Sequence, residues 1–356
     1  MRVAIVHYWL LGMRGGERVL EGLCRVAPQA DLFTLFYEPG RVSEGIRGRR
    51  VTASWLNPMR RFYRSLLPVM PMALESFDLR GYDLVISSES GPAKGVITCA
   101  GTRHVCYCHT PMRYLWDLYP EYLHEWTRSR VKRAVMGPVA NYLRLWDYAS
   151  AARVDEFVAN SENVKRRVWK TYRREAEVVY PPVAVDGFRC ERAEDYYLIV
   201  SELVPYKRVD LAVRTFSKSG RRLKIAGDGP EFKRLRKRAA RNIEFCGRVT
   251  DEELRGLYAR CRAFVMAGEE DFGITAVEAI ASGRAVIALG RGGVLEIVPE
   301  EGRFLFDSAD EEAMEGAIRR FEAAENNLPV ERIRGAAKKF SEEEFDRKMR
   351  LVLYRE

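Results

Sequence analysis

The chain has 356 residues, 47% hydrophobic and 31% charged, which is enough for two domains with real cores. Its net charge of +9 favours phosphate-rich partners such as nucleic acid, anionic headgroups or diphosphates. No stretch approaches the roughly 18 apolar residues of a membrane span, the opening MRVAIVHYWL reads as a strand and not a leader, and seven scattered cysteines without zinc spacing read as free thiols in a reducing cytosol.

Residues 3–6 form a short apolar strand. A loop holding Gly15-Gly16 follows, then Val19, Leu20 and Leu23 at helical spacing, the opening half of a βαβ unit. The two glycines can bring backbone N–H groups close to a phosphate, although GxGxxG is absent and a plain turn is equally open. Residues 31–36 read as a second strand. Residues 55–77 mix Trp, Phe, Tyr, Leu and Met with Arg60, Arg61 and Arg64 between prolines. That stretch is either a helical pair on the sheet or a surface for a membrane or lipid-linked acceptor, the membrane contact falling on residues 55–67.

Residues 82–87 and 105–108 are buried strands. Ser88–Gly91 and His109 follow at their C-terminal ends, where open α/β sheets keep ligands. A histidine there can donate to a sugar hydroxyl or orient an acceptor; His7, His104 and His124 have no such support. Residues 112–154 are helical and rich in tryptophan (Trp116, Trp126, Trp146), read as helix packing before a second membrane surface. A strand at 157–159 precedes an Asn160-Ser161 cap and a helix over 162–172. Pro181-Pro182 is the linker candidate between domains 1–180 and 183–340.

A second αβ series begins with a strand at 197–200. The loop after it carries Lys207, whose ammonium can meet a diphosphate. Strands follow at 223–226 and 264–266, with a strand and its loop over 243–249 between them. Residues 263–283, AFVMAGEEDFGITAVEAIASG, hold Glu269, Glu270, Asp271 and Gly273 between that strand and an apolar helix. Glu278 is the only charge on this helix and needs partners when buried. Carboxylates that accept from hydroxyls, beside a helix start that attracts anions, suggest a nucleotide sugar. A strand at 285–289, a possible anion turn at Gly292-Gly293, helix over 310–339 and a Ser341/Glu344 capping box complete the chain.

Glu270-Asp271-Phe272-Gly273 followed by Glu278 resembles the paired-glutamate motif of glycosyltransferase family 4. The resemblance covers nearly the whole chain and is strongest from about 178 to 300. It implies an α/β GT-B fold, two Rossmann-like domains facing across a cleft, with the 341–356 helix packing back on the first. It implies Glu278 on the ribose, Lys207 and the N–H groups near Gly273-Ile274 on the diphosphate, and Glu270 on the transferred sugar. Gly247, Arg248 and Val249 are the implied base contacts. From the first domain the resemblance implies His109 in the active site and the Gly15-Gly16 loop facing the donor diphosphate. The family usually places an arginine where Glu202 stands; Arg208, Arg14 or Arg248 could substitute.

The expected activity is retaining, metal-independent hexosyl transfer, without a cofactor beyond the donor. The segments YCHTP at 107–111 and LVPYKR at 203–208 look most like mannosyltransferases of surface-glycan and lipid-linked oligosaccharide assembly. GDP-mannose is the expected donor and a glycan or lipid-linked molecule the acceptor, in the cytoplasm or at the inner membrane face. A UDP-sugar enzyme is the alternative in class, and a non-catalytic membrane-associated nucleotide binder is the alternative outside it. Nucleic acid is not an expected partner.

Overall fold

A computed structural model describes residues 1–123 and 130–355. The chain divides into two compact units, Met1–Pro182 with Phe345–Glu356, and Val183–Glu344.

The first unit is built on seven strands: β1 (Val3–His7), β2 (Asp31–Thr34), β3 (Val51–Ala53), β4 (Leu84–Glu89), β5 (Arg103–Cys108), β6 (Glu156–Ala159) and β7 (Ala176–Val178). They pair in parallel in the order β3-β2-β1-β4-β5-β6-β7. Parallel sheets are covered on both faces, which explains continuous apolar runs in place of alternation. On one face Ile5, Leu84, Ile86 and Val105 pack with Leu20 and Leu23 of helix α1 (Gly15–Val26) and with Phe345, Met349 and Val352 of the C-terminal helix, Glu342–Leu353. On the other, Ala4, Val6 and Val85 pack with Met70 and Leu74. The Arg103 guanidinium closes the end of the C-terminal helix, donating to the Leu353 and Val352 carbonyls at 3.0 and 2.8 Å. Ser341 Oγ accepts from the Glu344 amide at the helix start, 3.2 Å away.

Strand β3 is absent from the sequence reading, because three residues at a sheet edge carry no measurable period. Residues 55–77 do not form the expected pair of regular helices. A 3₁₀-rich stretch, Asn57–Val69, with non-helical backbone at Met59 and Phe62, precedes a short helix, Met70–Glu75. Prolines 58, 68 and 71 prevent a continuous α-helical ladder. Met59 and Phe62 lie exposed, Arg60 pairs with Glu38 at 2.6 Å, and Trp55 lines a separate cavity.

Within 112–154 the described long helix is α2 (Arg130–Ser150). Trp116 and Trp146 are anchored by their indole N–H groups, to Asp147 at 2.8 Å and Glu75 at 2.9 Å, so both serve packing. Trp126 and His124 lie outside the described residues. Helix α3 (Glu162–Tyr172) is capped by Ser161 Oγ, which accepts from the Val164 amide at 3.0 Å.

The second unit has six strands: β8 (Tyr197–Val200), β9 (Leu223–Ala226), β10 (Ile243–Gly247), β11 (Ala263–Met266), β12 (Ala285–Leu289) and β13 (Arg303–Phe306). All are parallel, in the order β10-β9-β8-β11-β12-β13. Helices α4 (Val209–Ser219), α5 (Ile274–Ala281) and α6 (Glu311–Ala324) are crossovers or covers. Phe216 and Phe321 pack on Tyr197 within the core. Strand β13, like β7, was also not anticipated: its RFLF is only partly buried at a sheet edge. The expected helix over 310–339 is interrupted at Leu328-Pro329 before a short helix, Val330–Gly335. Among the described residues no helix is long and apolar enough to cross a membrane.

Candidate active site

Both sheets reverse their winding once. In the second unit β8 is laid down first, β9 and β10 extend one way, and β11 to β13 extend the other. The loops after β8 and β11 therefore separate at their C-terminal ends, the place where open α/β sheets bind ligands.

Lys207 and Glu270 meet there. The loop after β8 ends in a tight turn, Pro205–Lys207. The loop after β11 begins with Gly268, where a Cβ would sit 2.7 Å from the Tyr206 carbonyl oxygen and 2.8 Å from Lys207 Cα. Only glycine permits that approach. It brings Lys207 Nζ to donate to Glu270 Oε1, with the two side chains 17% and 21% exposed. Burial opposes the lysine charge, but Glu270, with Tyr206 and Asp271 adding, outweighs it and raises the Lys207 pKa. The ammonium stays charged and remains partly open to a ligand.

Gly273 then turns the chain with φ +104°, a left-handed conformation, and α5 starts at Ile274. The Ile274 and Thr275 amides have no protein acceptor among the described residues. They face outward from a helix start beside Lys207's partner, a combination suited to an anion. Phe272 is buried against Phe340, ring centroids 5.5 Å apart, and holds the turn down. Glu278 lies on α5 and is only 4% exposed. Asp271 sits in the same turn.

Gly292-Gly293 has a different use from the anion turn expected. The Gly293 amide donates to the Glu270 carbonyl at 2.9 Å and Gly292 pairs with Glu270, so this loop splints the acidic turn. Next to it Arg291 is exposed and makes no ion pair among the described residues. Sequence reasoning passed over it and over Gly268; a glycine at a strand end was the available signal for the latter. Gly247 ends β10, two strands from β8, and Arg248 and Val249 follow it. Arg248 is 82% exposed and lies 3.6 Å from Asp228. Arg208 is tied to Asp210 at 3.7 Å and to the Ala309 carbonyl at 3.4 Å. Glu202 occupies the loop after β8, so Lys207 is the cation that contacts the acidic turn.

In the first unit the winding reverses between β1 and β4. His7 ends β1, Ser88 lies near the end of β4, and His109 follows β5. Ser88 Oγ lies 3.1 Å from His7 Nδ1 and 3.0 Å from His109 Nε2. His7 Nε2 in turn is 3.9 Å from Glu17. His7, given no role from sequence, is thus joined to His109 through one hydroxyl. Burial, then His7, pushes the His109 pKa down to about 3, so its imidazole is neutral at pH 7. Ser88 has one proton, so it donates to one ring and accepts from the other, which couples the two tautomers. His109 Nδ1 has no protein partner among the described residues.

Gly15 opens α1, and Glu17 accepts from the Arg14 amide at 2.9 Å. A Cβ on Gly16 would lie 2.5 Å from the Tyr8 hydroxyl. Its lack of side chain therefore has a packing cause as well as the phosphate role expected.

Behind β4 lies a charged cluster that sequence reasoning missed. Lys94 Nζ is 3.0 Å from Glu89 and also contacts Asp147; all three side chains are buried. The Tyr172 hydroxyl donates to Asp147 at 3.0 Å, and Lys94 stands 4.8 Å over the Tyr172 ring. Burial pushes the Glu89 carboxyl up to about 7, Lys94 pulling it down and Asp147 adding to the rise. The Glu89 carbonyl accepts from the His109 amide at 2.7 Å, so the cluster's strand also seats the histidine.

Two parallel-sheet Rossmann-like units of this kind, with polar groups gathered where each sheet reverses, define the GT-B type of glycosyltransferase fold. The chain belongs to that class. Residues 13–186 match the Glycosyltransferase Family 4 model and residues 190–340 the Glycosyl transferases group 1 model. An uncharacterised glycosyltransferase of Methanocaldococcus jannaschii is 29% identical over 149 residues, 40% of this chain and 42% of that protein. The sulfoquinovosyl transferase SQD2 of Arabidopsis thaliana is 32% identical over 131 residues, 35% of this chain and 25% of that protein. The chain therefore matches less than half the length of either curated relative. Among solved structures, Anabaena HepE in complex with UDP-glucose superposes with a TM-score of 0.71 at 14% identity, covering 99% of both chains.

Proposed function

We propose that this protein transfers a hexose from a nucleotide sugar to a hydroxyl acceptor with retention at the anomeric carbon. The observation that carries the reading is Lys207 against Glu270 beside the open Ile274 and Thr275 amides at a sheet reversal.

In this reading the donor lies on the second unit. Glu278 accepts from the ribose hydroxyls and Glu270 from hydroxyls of the sugar. Lys207 and the α5 amides stabilise the diphosphate as the C1–O bond breaks and negative charge grows on the leaving oxygen. Arg291 is the second cation, in place of the arginine absent at 202. The acceptor oxygen bonds to C1 from the face the diphosphate leaves, and its proton passes to the departing phosphate oxygen. Protein cations and amides suffice for this charge, so metal is not required. The reversal in the first unit is the acceptor side, where neutral His109 orients a hydroxyl through Nδ1.

The donor read from the motifs at 107–111 and 203–208 is GDP-mannose. UDP-glucose is the second reading, favoured by the HepE complex. The acceptor is a glycan or lipid-linked molecule, and exposed Met59 and Phe62 with Arg61 and Arg64 are the proposed membrane contact. The test is calorimetric binding of GDP, UDP, ADP, GDP-mannose and UDP-glucose in EDTA, with turnover followed by nucleoside diphosphate release. Tight binding of the GDP ligands alone supports mannose; preference for UDP ligands keeps the mechanism and replaces the donor. No nucleotide binding would refute the transferase reading.

A further inference from the structure

The first unit contains a cavity of about 430 Å³ on the side of the sheet that ends in β3, whose lining includes none of His7, Ser88 and His109. Its floor is aromatic: Phe33 meets Phe77 and Tyr82 edge-on, with centroids 5.4 and 5.8 Å apart. Its wall is the half-exposed Trp55, 52% accessible, with Thr52 nearby. Its rim is basic. Arg2, Arg50 and Arg80 line it with one carboxylate, Asp78, which Arg80 holds at 2.7 Å, and the lining Tyr82 donates its hydroxyl to a second carboxylate, Asp31, at 2.6 Å. Arg2 lies over the Tyr82 ring at 4.8 Å. Arg50, exposed at the start of β3, makes no ion pair among the described residues.

Each part selects for a chemical feature. A solvent-facing indole presents a flat apolar face suited to the C–H face of a sugar ring. Arg2 and Arg50, which make no side-chain ion pair among the described residues, can select carboxylate or phosphate, which a guanidinium grips with two N–H donors. The volume lies in the range of small-ligand cavities, and a concave, polar-walled site does not fit a flat bilayer. We propose that this cavity is a second carbohydrate site, separate from the transfer site, that holds an acidic sugar residue of a glycan. Trp55 stacks on the ring, while Arg50 and Arg2 hold its anionic group. The site would keep an anionic glycan chain on the enzyme between transfers.

The test uses the full chain and tetragalacturonate as probe, with maltotetraose, citrate and phosphatidylglycerol vesicles in parallel, read by tryptophan fluorescence and calorimetry. Tetragalacturonate is expected to bind saturably and quench fluorescence, at least ~10-fold tighter than maltotetraose or citrate. Arg50→Ala and Trp55→Ala should each weaken it ~10-fold, the loss of one charged hydrogen bond or one ring face. Arg50→Gln serves if the alanine variant does not fold. Nucleotide binding by all variants should equal wild type. The proposal falls if tetragalacturonate does not saturate, if citrate binds as well, if the variants bind unchanged, or if only vesicles bind. Absence of nucleotide binding by the wild-type chain, with tetragalacturonate still bound by it, would refute the donor assignment above and leave this site standing.

Discussion

Replacing Lys207 with alanine tests the transfer site most directly. An ammonium about 4 Å from a phosphate charge contributes about 4 kcal/mol at an effective dielectric of 20. The diphosphate gains roughly one unit of charge as it leaves, so most of that energy acts on the transition state. Lys207 is 17% exposed, and water admitted by the deletion would recover part of the energy. A net loss of about 3 kcal/mol corresponds to a kcat about 10²-fold lower. Part of the contact already exists in the bound donor, so nucleotide affinity should fall too, by a smaller factor. The assay is steady-state release of nucleoside diphosphate, with calorimetric Kd and a melting curve for each variant. Lys207→Arg should keep more activity than Lys207→Ala, because the charge persists while the point contact with Glu270 changes. Glu270→Gln should raise the donor KM with a lesser effect on binding of the free nucleoside diphosphate. If Lys207→Ala folds normally and kcat falls less than about fivefold, the diphosphate does not leave through this lysine and the site is misread.

Glu278→Gln should weaken nucleotide binding by about tenfold in calorimetry, since a charged acceptor of ribose hydroxyls becomes a neutral one; unchanged binding would remove Glu278 from the donor site. EDTA should leave turnover unaltered, and a metal-restorable loss would overturn the charge assignment given to Lys207 and the α5 amides. Lys94→Met should destabilise the fold by about 3–5 kcal/mol in urea melts, because Glu89 and Asp147 would stay buried without their cation. Acid should weaken the fold through His104, whose burial pushes its pKa down to about 4. Its neutral ring is held by Ser87 at 2.9 Å and the Arg153 carbonyl at 3.2 Å. The folded pKa lies below the unfolded value of about 6.5, so the contribution is full above that value and is lost as pH falls toward 4. Between pH 7 and 5 the loss is about 2 kcal/mol, and His104→Asn should flatten that part of the stability profile.

The second unit was the more legible because its chemistry sits in one continuous segment. From Ala263 to Gly283 the strand, the acidic turn, the glycine and the apolar helix follow without interruption, and each has a local signature. Strands at 197–200 and 223–226 were equally plain: YLIV is a four-residue apolar run, and LKIA is apolar but for Lys224 and runs into the Gly227–Pro230 turn. What sequence could not show is how the loops fit together. Gly268 reads as an ordinary loop glycine until the Pro205–Lys207 turn is seen against it. Gly292-Gly293 has the composition of an anion turn, yet its amide is committed to the Glu270 carbonyl. Edge strands β3, β7 and β13 failed for a different reason: short and incompletely buried, they lack the apolar run by which the central strands announce themselves.

The first unit shows why a lone residue type is a poor guide to function. His7 and His109 look alike in sequence, one at the end of a strand and one just after another. The strand order β1-β4-β5 sets them on either side of Ser88, and only then do they form one proton-coupled chain. The same strand carries Glu89, whose side chain enters the Lys94–Asp147 cluster while its carbonyl holds the His109 amide. Glu89 and Lys94 are five residues apart, but Asp147 comes from α2, far along the chain, so no local pattern could have predicted the cluster. Replacing Ser88 with alanine would separate these roles. It breaks the link between the histidines and leaves the Glu89 backbone contact intact. A fall in activity with an unchanged melting temperature would place the function in the hydroxyl, and not in the buried charges behind it.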